Sequence, residues 1–379
     1  MKIGILSTTG NLYPWAGSEE TWRILADYCL AQGHQIDLLL PEKVANSAQV
    51  SALRSQGAVV KARKELTPIA RRLALRGLSS RFKQFFNSPH DVIFVSTGGI
   101  ADCAWIPDLI PEIEKSKTPI VFFIQSNAEG AVQEQEVRDQ LTKLYAKASL
   151  MIFLSEHNLK LAERQLAYRF PRQTILMNPV RDAVTKPLAW PLSDLGTMRM
   201  AEVARLEVGD KRQDQLLEAL STDEWKGRNW CLTFFGSGPD KEHIKKLITF
   251  YGLEDKVSLG GHVGNFREIW STHHLHILPS SREGMPLALI ESMFCGRPAV
   301  VTRAGGNAEL VRDGIEGYVS PGMHPEIIRE TLERAWANRE RWSQMGLSAF
   351  YRVSGLVPRN WASQILDLLK GAIDATSAQ

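Results

Sequence analysis

Leu275-His276-Ile277-Leu278-Pro279-Ser280-Ser281-Arg282-Glu283-Gly284-Met285-Pro286-Leu287-Ala288-Leu289-Ile290-Glu291-Ser292-Met293-Phe294-Cys295-Gly296 reads as strand, loop and helix in one run. Leu275 to Leu278, bounded by Pro279 and two serines, form a short buried strand. Pro286 suits the first helical position, and Gly296 followed by Pro298 supplies the stop. Glu283 therefore falls in the strand-to-helix loop, and Glu291 about a turn and a half into the helix. That helix is apolar nearly all the way round, so it is expected to be buried, and a buried carboxylate needs a partner. The amides of residues 284 to 287 at its N-terminus make an electropositive pocket for an anion or for sugar hydroxyls. A core helix whose acid pairs with a distant arginine fits the same spacing, and spacing alone leaves both readings open.

Outward from this run the alternation of strand and helix continues. Lys2 to Ser7 reads as a first strand, followed by a long turn through Gly10 and Gly17 and a helix capped by Ser18. Further strands are expected at Gln35–Leu40 and near 58–60, 91–95, 119–124, 150–154 and 173–177. Runs such as Val92-Ile93-Phe94-Val95 and Ile120-Val121-Phe122-Phe123-Ile124 suit parallel strands covered on both faces. After a proline-rich stretch the pattern restarts, with strands near 198–204, 230–235, 256–259, 275–278 and 298–302. The expected fold is α/β, with two doubly wound Rossmann-like domains facing each other across a cleft. Their bounds are 1–180 and 197–358, with a linker at 181–196. A last amphipathic helix at 360–375, carrying Trp361, Ile365, Leu366 and Leu369, is expected to pack back on the first domain.

The bulk properties narrow the class. At 379 residues the chain is too long for one ordinary core. A net charge of +3 is too small to argue for nucleic acid. Cys29, Cys103, Cys231 and Cys295 are scattered without redox or metal spacing, as reduced core cysteines are. The first apolar run is too short for a signal peptide and no later run approaches a membrane span, so a cytoplasmic protein is expected. Segment 61–86 carries Lys61, Arg63, Lys64, Arg71, Arg72, Arg76, Arg81 and Lys83 against Glu65 alone, with Ile69, Leu73, Phe82 and Phe85 near helical spacing. Such a segment can rest on the inner face of an anionic membrane; a solvated outer helix fits the pattern as well.

Candidate chemistry collects where strands end. Arg205 follows the first strand of the second domain and Lys211 opens the next helix; two cations in such a crevice suit a diphosphate. Phe234-Phe235-Gly236-Ser237-Gly238-Pro239 lacks the third glycine of a dinucleotide fingerprint. Gly305-Gly306 reads as a ligand-binding amide loop or as a plain tight turn. In the first domain Ser96, Gln125 and Asn127 follow strands and offer hydrogen bonds to a hydroxyl-rich ligand. His274 and His276 share a strand face but His273 does not, and no carboxylate is near in sequence, which favours structural roles over a metal. No D-x-D triplet, G-x-S-x-G elbow or P-loop occurs.

With these residues assembled, the chain resembles the retaining family 4 (group 1) glycosyltransferases of the GT-B fold. The resemblance spans nearly the whole length. It is most specific at Arg205-Leu206 through Lys211, Gly236-Ser237-Gly238-Pro239, Gly260-Gly261-His262-Val263 and Pro279 to Gly317. Glu283 and Glu291 match the family's E-x(7)-E motif. The resemblance implies metal-independent transfer, with no cofactor, from a UDP- or GDP-linked sugar in the second domain. The acceptor, a carbohydrate or lipid-linked molecule of polysaccharide, lipopolysaccharide or glycolipid synthesis, would lie in the first. By match, Arg205 and Lys211 bind the donor diphosphate and stabilise the leaving group, and Glu283 with the amides of Gly284, Met285 and Leu287 surrounds the donor sugar. Glu291 takes the ribose hydroxyls, and Gly236, His262 and Val263 belong to the donor pocket, the last two beside the base. Gly10 and Gly17 approach the phosphates from the first domain. Arg212 stands where the family has glycine, and Gln125 where several relatives carry histidine. A nucleotide-sugar epimerase of the same fold and a catalytically silent nucleotide-sugar-binding protein are the alternatives left open.

Overall fold

The computed structural model describes residues 1–9, 15, 17–180, 185–192 and 196–377. The chain folds as two units, Met1–Pro179 with Arg359–Gln379, and Val180–Pro358.

In the first unit seven parallel strands, β1 (Lys2–Ser7), β2 (Gln35–Pro41), β3 (Val59–Arg63), β4 (Val92–Thr97), β5 (Ile120–Ile124), β6 (Leu150–Phe153) and β7 (Gln173–Ile175), stand in the order β3-β2-β1-β4-β5-β6-β7. The central strands β4 and β5 are buried throughout, as their unbroken apolar runs require of a sheet covered on both faces. The order reverses between β1 and β4, where Ile5 lies opposite both Leu38 and Phe94. A doubly wound sheet opens its ligand crevice at that switch point, beyond the strands' carboxyl ends. The helix Trp361–Ser377 belongs to this unit. It buries Trp361, Ile365 and Leu369 at i, i+4 and i+8, and the Trp361 ring meets Phe123 edge-on at 6.1 Å.

The basic segment forms a helix, Pro68–Leu75, with Pro68 in its first turn and Thr67 Oγ1 accepting from the Ala70 amide at 3.3 Å. Arg81 anchors its far end by donating to both carboxylate oxygens of Asp108, at 2.8 and 2.6 Å. Burial would raise the Asp108 carboxyl, but these bonds hold it below its ordinary range.

The second unit repeats the topology. Its strands are β8 (Met198–Val203), β9 (Trp230–Phe235), β10 (Val257–Gly261), β11 (Leu275–Leu278), β12 (Ala299–Thr302) and β13 (Gly317–Ser320), in the parallel order β10-β9-β8-β11-β12-β13. The switch point here lies between β8 and β11. β13 escapes the sequence reading because its four residues, Gly-Tyr-Val-Ser, are too few to show a period. The stretch read as linker, 181–196, needs a correction: residues 188–191 are tied to the second unit. Leu188 N donates to Cys295 O, His274 Nε2 to Pro191 O, and buried Arg297 donates through Nη2 to Ala189 O at 2.7 Å. The other Arg297 donors reach the carbonyls of Trp270, His273, Cys295 and Gly296.

Candidate active site

The chain leaves β8 in a tight turn, Ala204 to Glu207, and enters the short helix Val208–Lys211. The loop after β9 clamps this turn: Leu206 N donates to Ser237 O, Asp240 N to Leu206 O, and Val208 N to Asp240 Oδ2, at 3.1, 3.0 and 2.8 Å. Gly236 is needed for that approach. Its φ is +139°, and a Cβ there would stand 2.0 Å from Ala204 O. Arg205 projects from the clamped turn with Nη1 2.9 Å from Glu207 Oε2. Arg212, in the family's glycine position, keeps the left-handed conformation, φ +57°, that glycine adopts freely. The trace of the loop is thus retained, at a cost of about 1–2 kcal/mol for the added side chain.

The loop carrying Glu283 is fixed from two sides. Ser281 N donates to Asp210 O at 2.8 Å and its Oγ to Gly209 O at 3.1 Å, which fastens the loop to the helix bearing Lys211. From the β12 side, Thr302 Oγ1 donates to Ser280 O and Gly306 N to Gly284 O at 2.7 Å. Gly305 has φ +50°, and a Cβ on it would lie 2.3 Å from Glu283 O. Gly305 and Gly306 thus pack tightly under the glutamate loop and support it. The result is a direct pair, Lys211 Nζ to Glu283 Oε1 at 2.5 Å, with side chains 18% and 8% exposed. Two residues 72 positions apart are thereby joined at the carboxyl ends of the two switch-point strands.

The helix that follows is Leu287–Phe294, with Pro286 as its cap, ψ 118°, so it begins one residue later than expected. Gly284 and Met285 are buried at its entrance, and Leu287 begins it. Glu291 requires a correction. Expected to be buried, it is only partly buried, whereas Leu289, Ile290, Ser292, Met293 and Phe294 are buried. His262 is exposed beyond β10, and Val263 packs partly against the small apolar cluster of Ala201, Ile269, Trp270 and Cys295. Among the first-unit candidates, Gly17 is the exposed first residue of the helix Gly17–Ala31, and Gly10 lies outside the described residues.

Ser96 is fully buried and accepts from Gln125 Nε2 at 3.2 Å. Asn127 is also buried: its Oδ1 accepts from Ile100 N and its Nδ2 donates to Asn158 O, so its amide acts as a strut within the unit. The three histidines have separate partners. His273 Nδ1 lies 2.9 Å from Ile269 O, His274 Nδ1 accepts from Arg199 N, and His276 Nδ1 lies 2.9 Å from Ser292 Oγ. Burial lowers all three, His274 to about 4 and His276 to about 3, so they pack as neutral rings. Among the described residues no three His, Cys, Asp or Glu side chains gather as a metal site.

Two polar residues beside the cations escape the sequence reading, Glu202 within β8 and Gln213 just past Arg212, both buried. The available signal was an acid inside an otherwise apolar strand.

Residues 198–349 match the family model described as glycosyl transferases group 1. Over that stretch the second unit is similar to the group 1 glycosyltransferases. The same stretch holds Arg205, Lys211 and the Glu283 loop. The exopolysaccharide phosphotransferase SCO2592 of Streptomyces coelicolor is 31% identical to this chain over 186 residues, which is 48% of this chain and 19% of that protein. The N-acetyl-alpha-D-glucosaminyl L-malate synthase of Bacillus anthracis is 35% identical over 121 residues, 30% of this chain and 32% of the relative. The chain thus spans less than two thirds of these relatives' lengths. Among solved structures, Anabaena HepE in complex with UDP superposes with a TM-score of 0.74 at 18% identity, covering 98% of this chain and 100% of that one. Sucrose-phosphate synthase from Thermosynechococcus elongatus does so at 0.76 and 16%, covering 99% and 100%. The fold is GT-B, two Rossmann-like α/β domains, as the resemblance implied.

Proposed function

We propose that this chain is a retaining, family 4 glycosyltransferase that moves a sugar from a nucleoside diphosphate to a carbohydrate or lipid-linked acceptor. The observation that carries the proposal is the convergence of Arg205, Lys211 and Glu283 at the switch point of the second unit. The HepE structures, in complex with UDP and with UDP-glucose, support a nucleotide-sugar donor here. In this reading the second unit holds the donor and the first the acceptor. Cleavage of the bond between sugar and diphosphate builds positive charge on the sugar ring and negative charge on the leaving oxygen. Arg205 and Lys211 meet the negative charge without needing a metal, while Glu283 and the amides at the start of Leu287–Phe294 hold the sugar. The acceptor oxygen bonds to the anomeric carbon on the face the diphosphate leaves, and its proton passes to the departing phosphate oxygen. Glu291 holds the ribose.

A thermal-shift series with UDP, GDP, ADP and dTDP tests the donor reading. One of them, at a hundredfold excess over its dissociation constant, should stabilise the protein by about 2.7 kcal/mol, a shift of several degrees. An unmoved melting temperature with all four would overturn it.

The proposal includes a bilayer on the acceptor side. No described helix is long and apolar enough to cross a membrane, but Pro68–Leu75 buries only Ala74 and leaves Ile69, Leu75 and nearby Leu78 73%, 67% and 71% exposed. Arg71, Arg72 and Arg76 are exposed among them. Apolar side chains that enter an interface beside arginines that meet lipid phosphates suit the inner, anionic leaflet. Sedimentation with phosphatidylglycerol vesicles should be strong at low salt and weak at high salt. At about 1 kcal/mol per basic residue, Arg71→Glu with Arg72→Glu and Arg76→Glu should weaken it at least about tenfold. Equal sedimentation of that triple variant would exclude this surface.

A further inference from the structure

Beside the cations lies a buried polar pair that none of the roles above uses. Glu202 sits next to the end of β8 and is 1% exposed; Gln213 opens the helix Gln213–Leu220 and is fully buried. Gln213 Nε2 donates to Glu202 Oε1 at 2.9 Å and also to the main-chain oxygen of Arg205 at 2.9 Å. One amide therefore joins the strand, the turn that projects Arg205 and the helix that begins two residues after Lys211. We propose that Glu202 and Gln213 are positioning residues for sugar transfer, aiming Arg205 and Lys211 at the leaving diphosphate without touching it. The proposal rests on the transferase reading given above.

Three observations favour this role over simple core filling. Glu202 Oε2 and Gln213 Oε1 are buried with no hydrogen-bond partner among the described residues, an arrangement that lowers stability and that two leucines would avoid. Gln213 also follows Arg212, whose left-handed backbone must be held in place by its surroundings. Finally, burial pushes the Glu202 carboxyl well above its ordinary range, against the pull of Lys211 and the Gln213 bond and with Glu283 and Asp214 adding to the rise. A neutral acid fixes geometry without cancelling the charge on Lys211. A carboxylate in its place would compete with the diphosphate.

The test uses the full chain and acceptor-independent hydrolysis of UDP-glucose or GDP-mannose, whichever the wild type turns over, with melting temperature measured in parallel. Gln213→Leu should lower kcat about 10- to 100-fold, the scale of a small misplacement of reacting groups, with KM within about threefold. Glu202→Leu should match it in turnover, and the double variant should be no worse than either single one, since both break the same bridge. Each single leucine variant leaves the other buried polar group without its partner and should lose some melting temperature. The Glu202→Leu, Gln213→Leu double variant, in which both orphaned polar groups are gone, should melt at or above the wild type. Glu202→Gln, which keeps the acceptor oxygen and the neutral charge, should stay within about threefold of wild type. Wild-type turnover in Gln213→Leu, a fall in the double variant's melting temperature that parallels its loss of turnover, or a Glu202→Gln variant as impaired as Glu202→Leu would each overturn the proposal. If the wild type binds neither UDP nor GDP and turns over neither donor, the transferase reading fails first and this proposal with it.

Discussion

Glu283→Gln should bind free nucleoside diphosphate more tightly than the wild type while transferring sugar at least about a hundredfold more slowly. The two effects have opposite signs because the proposed mechanism gives Glu283 two tasks. In the ligand-free protein its carboxylate is the counter-ion of Lys211. A diphosphate must compete with that carboxylate for the ammonium, in a setting where both side chains are largely withdrawn from water and the attraction is weakly screened. The neutral amide of the Glu283→Gln variant cannot hold the ammonium by charge. Lys211 is then available from the start, and a gain of about five- to tenfold in diphosphate affinity is expected. In the proposed mechanism the same carboxylate accepts hydrogen bonds from the sugar hydroxyls, bonds that strengthen as the ring gains positive charge. Losing a preorganised electrostatic contact of that kind costs about 10² to 10³ in turnover. Calorimetry with UDP and GDP, beside turnover, measures both arms. Unchanged affinity together with wild-type turnover would remove Glu283 from the site.

Lys211→Met should cut kcat/KM at least about a thousandfold, and it should also lower the melting temperature by several degrees. The catalytic loss follows from removing a fixed cation aimed at the developing charge on the diphosphate, where one such donor is worth about 10² to 10³ and a full charge more. The stability loss has another origin. Removing one member of a partly buried ion pair leaves the other charge in place without its partner, which destabilises more than removing both. Lys211→Met combined with Glu283→Gln should therefore recover most of the melting temperature and none of the transfer. That non-additivity separates a damaged site from a damaged fold. Wild-type kcat/KM in Lys211→Met would refute the leaving-group role.

Much of this arrangement was legible in the chain because its signals are local. Val92–Val95 and Ile120–Ile124 announce buried parallel strands by composition alone, and Pro279 with Gly296 brackets the glutamate loop and its helix. What stayed hidden depends on contacts between distant segments. Gly305 looks like any turn glycine until Glu283 O is found 2.3 Å from where its Cβ would be. The partial burial of Glu291 follows from which side of Leu287–Phe294 meets the sheet, and an almost wholly apolar helix carries no periodicity to tell. Glu202 and Gln213 are ordinary residues separately, and acquire meaning only when Arg212 turns the chain so that they meet. Pro286 misled by one position, since a residue that begins a helix and one that caps it carry the same letter.

The helix Trp361–Ser377 has a consequence for how the molecule is made. It supplies part of the first unit, yet the whole of Val180–Pro358 stands before it in the chain. During synthesis the second unit can close its core while the first still lacks the side chains of Trp361, Ile365 and Leu369. At ordinary elongation speeds that interval is on the order of ten to forty seconds. For this time the apolar surface of Gly17–Ala31 and the edge of Phe123 wait uncovered. Of the two units, the one that leaves the ribosome first is therefore the later to be finished. Its exposure to aggregation and to chaperones is set by the length of the other unit.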